Sequence, residues 1–152
     1  MKNTKLYHYT PEIKLDEIIE SGEIKLATAS VVDLKREKAC AWVSSNPHWE
    51  ETATKMYVNN GVTSQLTFKE QLANFGCGRI EVKSTGFTTW GKLKYLAKMN
   101  LTVAKAMEET GIKRGGNPKE WFGSLEPIKS DKWIKAEVYK NGEWIEYKTF
   151  NQ

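Results

Sequence analysis

The chain has 152 residues, of which 39% are hydrophobic and 28% charged, with six tryptophans. That mix excludes a disordered segment, which would carry few aromatics to bury, and the length suits one domain around a single core. The formal net charge of +4, from 23 basic against 19 acidic residues, permits a polyanionic partner without demanding one.

In chain order, residues 6–10 ("LYHYT") read as a short strand, with Leu6 and His8 on one face and Tyr7 and Tyr9 on the other. Thr10 is placed to N-cap a helix with Pro11 at its first position, where the missing N–H costs nothing. Leu15, Ile18 and Ile19 give that helix its apolar stripe, Ser21-Gly22 ends it, and "EIKLAT" reads as a second strand. "ACAWVSS" reads as a buried strand, and Asn46-Pro47 then predicts a helix with Trp49, Ala53, Met56 and Tyr57 on one side. Thr67 and Glu70 have capping-box spacing before a short helix over 68–75. "RIEVK" is a strand after a Gly76-Cys77-Gly78 turn. Residues 90–110 carry the longest helical pattern, with Leu96, Met99, Val103 and Met107 facing inward and Gly111 closing it. "WIKAEVYKNGEWIEY" is a β-hairpin around Asn141-Gly142. Strands at both ends with helices between them predict an α+β fold.

Several chemistries lack their residues. There is no GxGxxG after a strand, no Walker-type loop and no GxSxG turn. Cys40, Cys77, His8 and His48 show no metal-ligand spacing, and two cysteines read better as reduced thiols than as a disulfide framework. "HYT" invites comparison with phosphoesterases that carry two HxT motifs, but His48 is followed by Trp49 and Glu50 and no third histidine exists. No apolar run is long enough to span a bilayer, and "MKNTKLYHYT" lacks a signal-peptide core, so a cytoplasmic protein with no membrane partner is expected.

What remains is ordered. "LYHYT…SGEI" puts a histidine on the first strand before a helix and a Gly-hydrophobic turn, "CAWVSS" puts an aromatic on a later strand, and "KEWFGSLEPI" puts glutamates before the terminal hairpin. In that order the chain resembles the ADP-ribosyltransferase superfamily, in the branch with a His–Tyr–Glu triad, and the bacterial DNA-modifying toxins are nearest in plan. The resemblance covers most of the chain through short motifs. It departs from the family pattern at Trp42, where tyrosine is usual, and the glutamate is either Glu120 or Glu126. Neither has Glu or Gln two residues earlier, since Pro118 and Ser124 stand there, which argues against an arginine-directed enzyme.

The resemblance implies one domain over residues 1–152 with a split β-sheet, and NAD as substrate, with no metal. Cleavage of the nicotinamide–ribose bond creates an oxocarbenium-like centre that a carboxylate stabilises, the role of Glu120 or Glu126. His8 would hold the ribose or the nicotinamide amide, Trp42 would pack on the nicotinamide with Tyr9 or Trp121 as supports, and Thr10, Ser44 and Ser45 would complete the pocket. The acceptor is a macromolecule, with DNA or RNA favoured over protein. Two other readings fit the same residues: a non-enzymatic nucleotide or nucleic-acid binding module, and an RNA 2′-phosphotransferase-like enzyme. The second grips phosphate with several arginines, and this chain has only Arg36, Arg79 and Arg114.

Overall fold

The computed structural model describes residues 4–28, 35–54 and 56–150. β1 (Leu6–Pro11) leads through a single 3-10 turn into α1 (Leu15–Ser21), then β2 (Glu23–Ile24) and β3 (Ala41–Ser44). β4 (Met56–Asn59) and β5 (Val62–Gln65) form a hairpin, followed by α2 (Phe68–Asn74), β6 (Cys77–Val82) and β7 (Thr88–Thr89). α3 (Trp90–Leu96) and α4 (Leu101–Lys113) precede β8 (Trp121–Ser124), β9 (Ile128–Lys129), β10 (Trp133–Lys140) and β11 (Glu143–Thr149). The fold is α+β: one antiparallel seven-stranded sheet in the order β11-β10-β6-β1-β3-β8-β7, with two small two-stranded sheets, β2-β9 and β4-β5.

The sheet is not evenly paired. β1 meets β6 along its whole length, Leu6↔Val82 through Pro11↔Cys77, and β3 meets β8 from Ala41↔Ser124 to Ser44↔Trp121. Between β1 and β3 only Tyr7↔Ser44 are in register. The two halves of the sheet are therefore stitched at one point and open beside it. Leu6, Leu15, Ile80, Val82, Trp133 and Ala136 belong to a core cluster on one side of the molecule. Tyr7, Tyr9, Trp49 and Cys77 build a second, aromatic cluster, and Cys40, Trp90, Leu93, Ala97 and Trp121 a third.

Several expected elements form as the local chemistry requires. Gly22 ends α1 at φ 77°, in the left-handed region that glycine enters freely. Both halves of the Thr67–Glu70 capping box are made, at 3.1 and 3.0 Å. Asn141 and Gly142, at φ 51° and 81°, turn β10 into β11.

Others differ, each for a physical reason. Thr10 and Pro11 stay in β1, where Pro11 pairs with Cys77, so the Thr10 N-cap does not form and the chain turns helical only at Glu12. "EIKLAT" is strand only at Glu23–Ile24. The helix expected after Pro47 is absent: the Asn46 side chain accepts from the His48 N–H at 2.9 Å to close a local turn, and helicity is confined to one 3-10 turn, Glu51–Ala53. Asn60-Gly61, at φ 52° and 79°, then turns β4 into β5, so Met56 and Tyr57 lie on a strand. The long helical pattern breaks in two. Lys98 takes φ 57°, and the Asn100 carboxamide starts α4 by accepting from the Thr102 and Val103 N–H groups at 2.9 and 3.2 Å. Leu96 is thereby left exposed, whereas Met99 is buried.

Gly111 lies inside the last turns of α4 rather than beyond them, because the Trp121 ring packs on it: an added Cβ would stand 2.6 Å from two indole carbons. Gly→Ala within a helix ordinarily stabilises by about 1 kcal/mol. Overpacking a closed interior costs about 1–3 kcal/mol and decides the sign here. Gly111→Ala is expected to lower the urea midpoint and the melting temperature; a rise in either would show that the Trp121 contact is not closed.

Candidate functional site

β1 and β3 both line a cavity of about 620 Å³. Its walls come from β1, β3, the turn after Glu50, the β4-β5 hairpin, Trp121 of β8 and one stripe of α4. That stripe, Val103, Met107, Gly111 and Arg114, follows helical spacing, so a single helix face forms the wall. Several apolar and aromatic side chains line the space, with a few polar groups among them.

His8 stands at the seam. Its Nδ1 lies 2.8 Å from the Trp42 carbonyl oxygen, which can only accept, so Nδ1 carries the proton and donates. Nε2 is then the acceptor of the ring. Burial lowers the imidazole pKa below its ordinary value, against a smaller raising effect of the Trp42 hydrogen bond, so the ring is neutral at neutral pH. Trp42, half-buried, lines the same cavity and has its ring centroid 5.8 Å from that of Trp90.

Glu50 is the only carboxylate that lines the cavity among the described residues. It is 6% exposed and every contact on it is a donor. Ser44 Oγ donates to Oε1 at 2.8 Å. The Thr52 N–H, the Thr52 hydroxyl and the Trp121 indole N–H donate to Oε2 at 3.2, 2.8 and 3.2 Å. The carboxylate thus ties the end of β3, the following turn and the start of β8 into one wall. Sequence reasoning missed Glu50, because it sat in an expected helix; its signal was a carboxylate beside the tryptophan and Thr52 of a turn-forming Asn-Pro segment.

Tyr9 lines the cavity through its ring while its hydroxyl donates to the Asn46 carbonyl and accepts from Arg79 Nη1 at 3.3 Å. Burial raises its pKa, so it stays a phenol. Ser44 is buried on Glu50. Ser45 lies just beyond, its N–H donating to the Glu120 carbonyl at 3.0 Å. Glu120 directly precedes Trp121, which lines the cavity, and among the described residues its carboxylate takes only the Asn46 amide, at 3.4 Å. Thr10 is buried and does not line the cavity; its hydroxyl contacts the Pro11 carbonyl. Glu126 is exposed past the other end of β8, in a turn closed by the Ser124 hydroxyl. The structure therefore gathers His8, Tyr9, Trp42 and Ser44, sets Ser45 and Glu120 beside them, and leaves Thr10 and Glu126 apart.

The thiols are remote from nucleophilic chemistry: burial pushes Cys40 to about 11 and Cys77 to about 12. Among the described residues no group of three or more metal-ligating side chains occurs, and no helix is long and apolar enough to cross a membrane. Comparison with protein families, curated proteins and solved structures finds no match to this chain.

Because the folded pKa of His8 lies below its ordinary 6.5, protonation favours the unfolded chain. Stability that is present above pH 6.5 is lost as the pH falls below that value. Replacing His8 by Gln keeps an N–H for the Trp42 carbonyl and removes the titration. Urea midpoints of wild type and His8→Gln are therefore expected to converge from pH 7.5 to pH 5; a gap that stays constant or widens would contradict a neutral, buried ring.

Proposed function

We propose that the protein is an NAD-dependent ADP-ribosyltransferase, acting on a macromolecular acceptor for which nucleic acid is favoured. One observation carries the reading: the strands that hold His8 and Trp42 share a single register pair and line one cavity, and the loosely held carboxylate of Glu120 stands next in the chain to Trp121, which lines it too. The neighbouring strands β1 and β3 supply the histidine and the aromatic, and the 3-10 turn that leads into β8 supplies the glutamate, which agrees with the order the resemblance implies.

In this reading His8 Nε2 accepts from a ribose hydroxyl or the nicotinamide amide. The Trp42 face packs on the nicotinamide ring. Glu120 accepts the ribose 2′-hydroxyl and stabilises the positive charge that grows at C1′ as the C1′–N bond breaks. Nicotinamide leaves with the bonding electron pair, passing from cation to neutral molecule, and a nucleophile of the acceptor closes on C1′ while releasing its proton. The contrast between the two nearby carboxylates supports Glu120 in this role. Glu50 is saturated by four donors, whereas Glu120 has one long contact and can take a hydroxyl.

The 2′-phosphotransferase reading fares less well. Arg79 is buried, paired with Glu137 at 2.8 Å and bonded to the Pro47 carbonyl at 2.6 Å, and it does not line the cavity. Arg114 alone of the described arginines lines the cavity.

Release of nicotinamide from NAD, with DNA, RNA and lysate protein offered as acceptors, tests the reading. Glu120→Gln is expected to lower the rate by roughly 100-fold or more, the usual cost of losing one charge-stabilising group. His8→Ala is expected to lower it about tenfold or more, and Glu126→Ala to leave it within about twofold. No release with any acceptor, and no NAD binding, would overturn the assignment.

A further inference from the structure

Among the described residues, one cation lines the cavity. Arg114, the C-terminal cap of α4, lines it, and no ion pair holds this guanidinium among the described residues. Nη2 donates to Thr54 Oγ1 at 3.1 Å and to the Leu66 carbonyl at 3.0 Å, which fixes the group at the base of the β4-β5 hairpin. Nη1 has no acceptor among the described residues, and Nε is buried without one. An orphaned donor on a charged group costs more than a neutral one, so this wall is incomplete as it stands. The neighbouring carboxylates do not complete it. Glu50 is saturated by its own donors, and Glu51, which feels Arg114 only through space, has its pKa raised by burial.

We propose that Arg114 binds a phosphate group of a ligand lying in this cavity. A guanidinium in a partly desolvated wall, fixed on one edge and open on another, suits a phosphate oxygen better than a carbonyl, because a charge-assisted bond gains most away from water. Arg79 shows the contrast: its guanidinium meets Glu137, the Pro47 carbonyl and the Tyr9 hydroxyl, and it stacks 4.1 Å from the Tyr7 ring and 4.4 Å from the Trp144 ring. Among the described residues, one arginine is paired with a carboxylate and packed between rings, and the other has neither. The phosphate belongs either to a nucleoside diphosphate or to the backbone of a nucleic-acid acceptor. The proposal rests on the reading above only for the choice of these probes.

The experiment measures affinities of wild type, Arg114→Gln, Arg114→Lys and Thr54→Val for ADP, adenosine and a short single-stranded oligonucleotide at one ionic strength. Wild type is expected to bind ADP, the oligonucleotide or both. Where the phosphate is that of the diphosphate, ADP binds wild type about tenfold or more tighter than adenosine, and Arg114→Gln erases that difference while leaving adenosine affinity unchanged. Where it belongs to the acceptor, oligonucleotide affinity falls by the same factor and ADP and adenosine do not change. Arg114→Lys keeps part of the preference. Thr54→Val removes one of the two acceptors that fix Nη2 but keeps the charge and the Leu66 bond, and is expected to keep most of the preference. Phosphate preference that survives Arg114→Gln, or is lost equally in Thr54→Val, overturns the proposal, as does wild type that binds none of the probes. Because these ligands release no nicotinamide, a failed transferase assay with intact phosphate preference would sink the transfer reading alone.

Discussion

A carbonyl oxygen on a strand in the middle of a sheet has to find a donor, and the Trp42 carbonyl does not find one on the neighbouring backbone. β1 and β3 share only the Tyr7↔Ser44 pair, so the ladder that would satisfy Trp42 is missing, and the His8 side chain supplies the N–H instead. That substitution matters because a buried acceptor left empty costs about 1–3 kcal/mol. It also fixes the ring tautomer and leaves the Nε2 lone pair as its acceptor, while burial keeps the imidazole neutral. The sheet can therefore stay open at this seam without losing the hydrogen bond that openness would otherwise forfeit.

Two polar fasteners hold the walls on either side. Glu50 gathers Ser44, Thr52 and the Trp121 indole, so the end of β3, the turn after it and the start of β8 move as one piece. Arg79 reaches from β6 to Glu137 on β10, to the Tyr9 hydroxyl on β1 and to the Pro47 carbonyl, between aromatic rings. A buried ion pair of this kind adds little net stability over an apolar replacement, yet removal of one partner strands the other charge. Its value here is geometric. It holds the turn at Asn46, whose amide contacts Glu120, against the strand that carries His8.

Much of this could be read in the chain before its structure, and the divide follows a physical line. Features set by a few adjacent residues were legible: the Thr67–Glu70 capping box, the Asn141-Gly142 hairpin and the stop at Gly22. Features decided by competition between local and tertiary terms were not. The run after Asn46 has apolar residues at helical spacing, but the Asn46 side chain closes a turn and Asn60-Gly61 favours a hairpin. The 90–110 pattern has an unbroken helical period, but an Asn100 N-cap restarts it and turns Leu96 outward. Glu50 was hidden by the same expected helix, and Arg114 escaped because nothing in its flanking residues says that a helix end faces a cavity built by distant strands.

The central claim is that His8 is a neutral ligand-holding residue at an open seam, and nitrogen-15 NMR of the imidazoles tests it most directly. The chain has two histidines, His8 and His48, so a His48→Gln variant leaves a single ring to observe. At pH 7 the account predicts a neutral ring with Nδ1 protonated and Nε2 bare, and it predicts that added NAD shifts the Nε2 resonance far more than the Nδ1 resonance. A protonated ring, or Nε2 unmoved at saturating NAD, would contradict it.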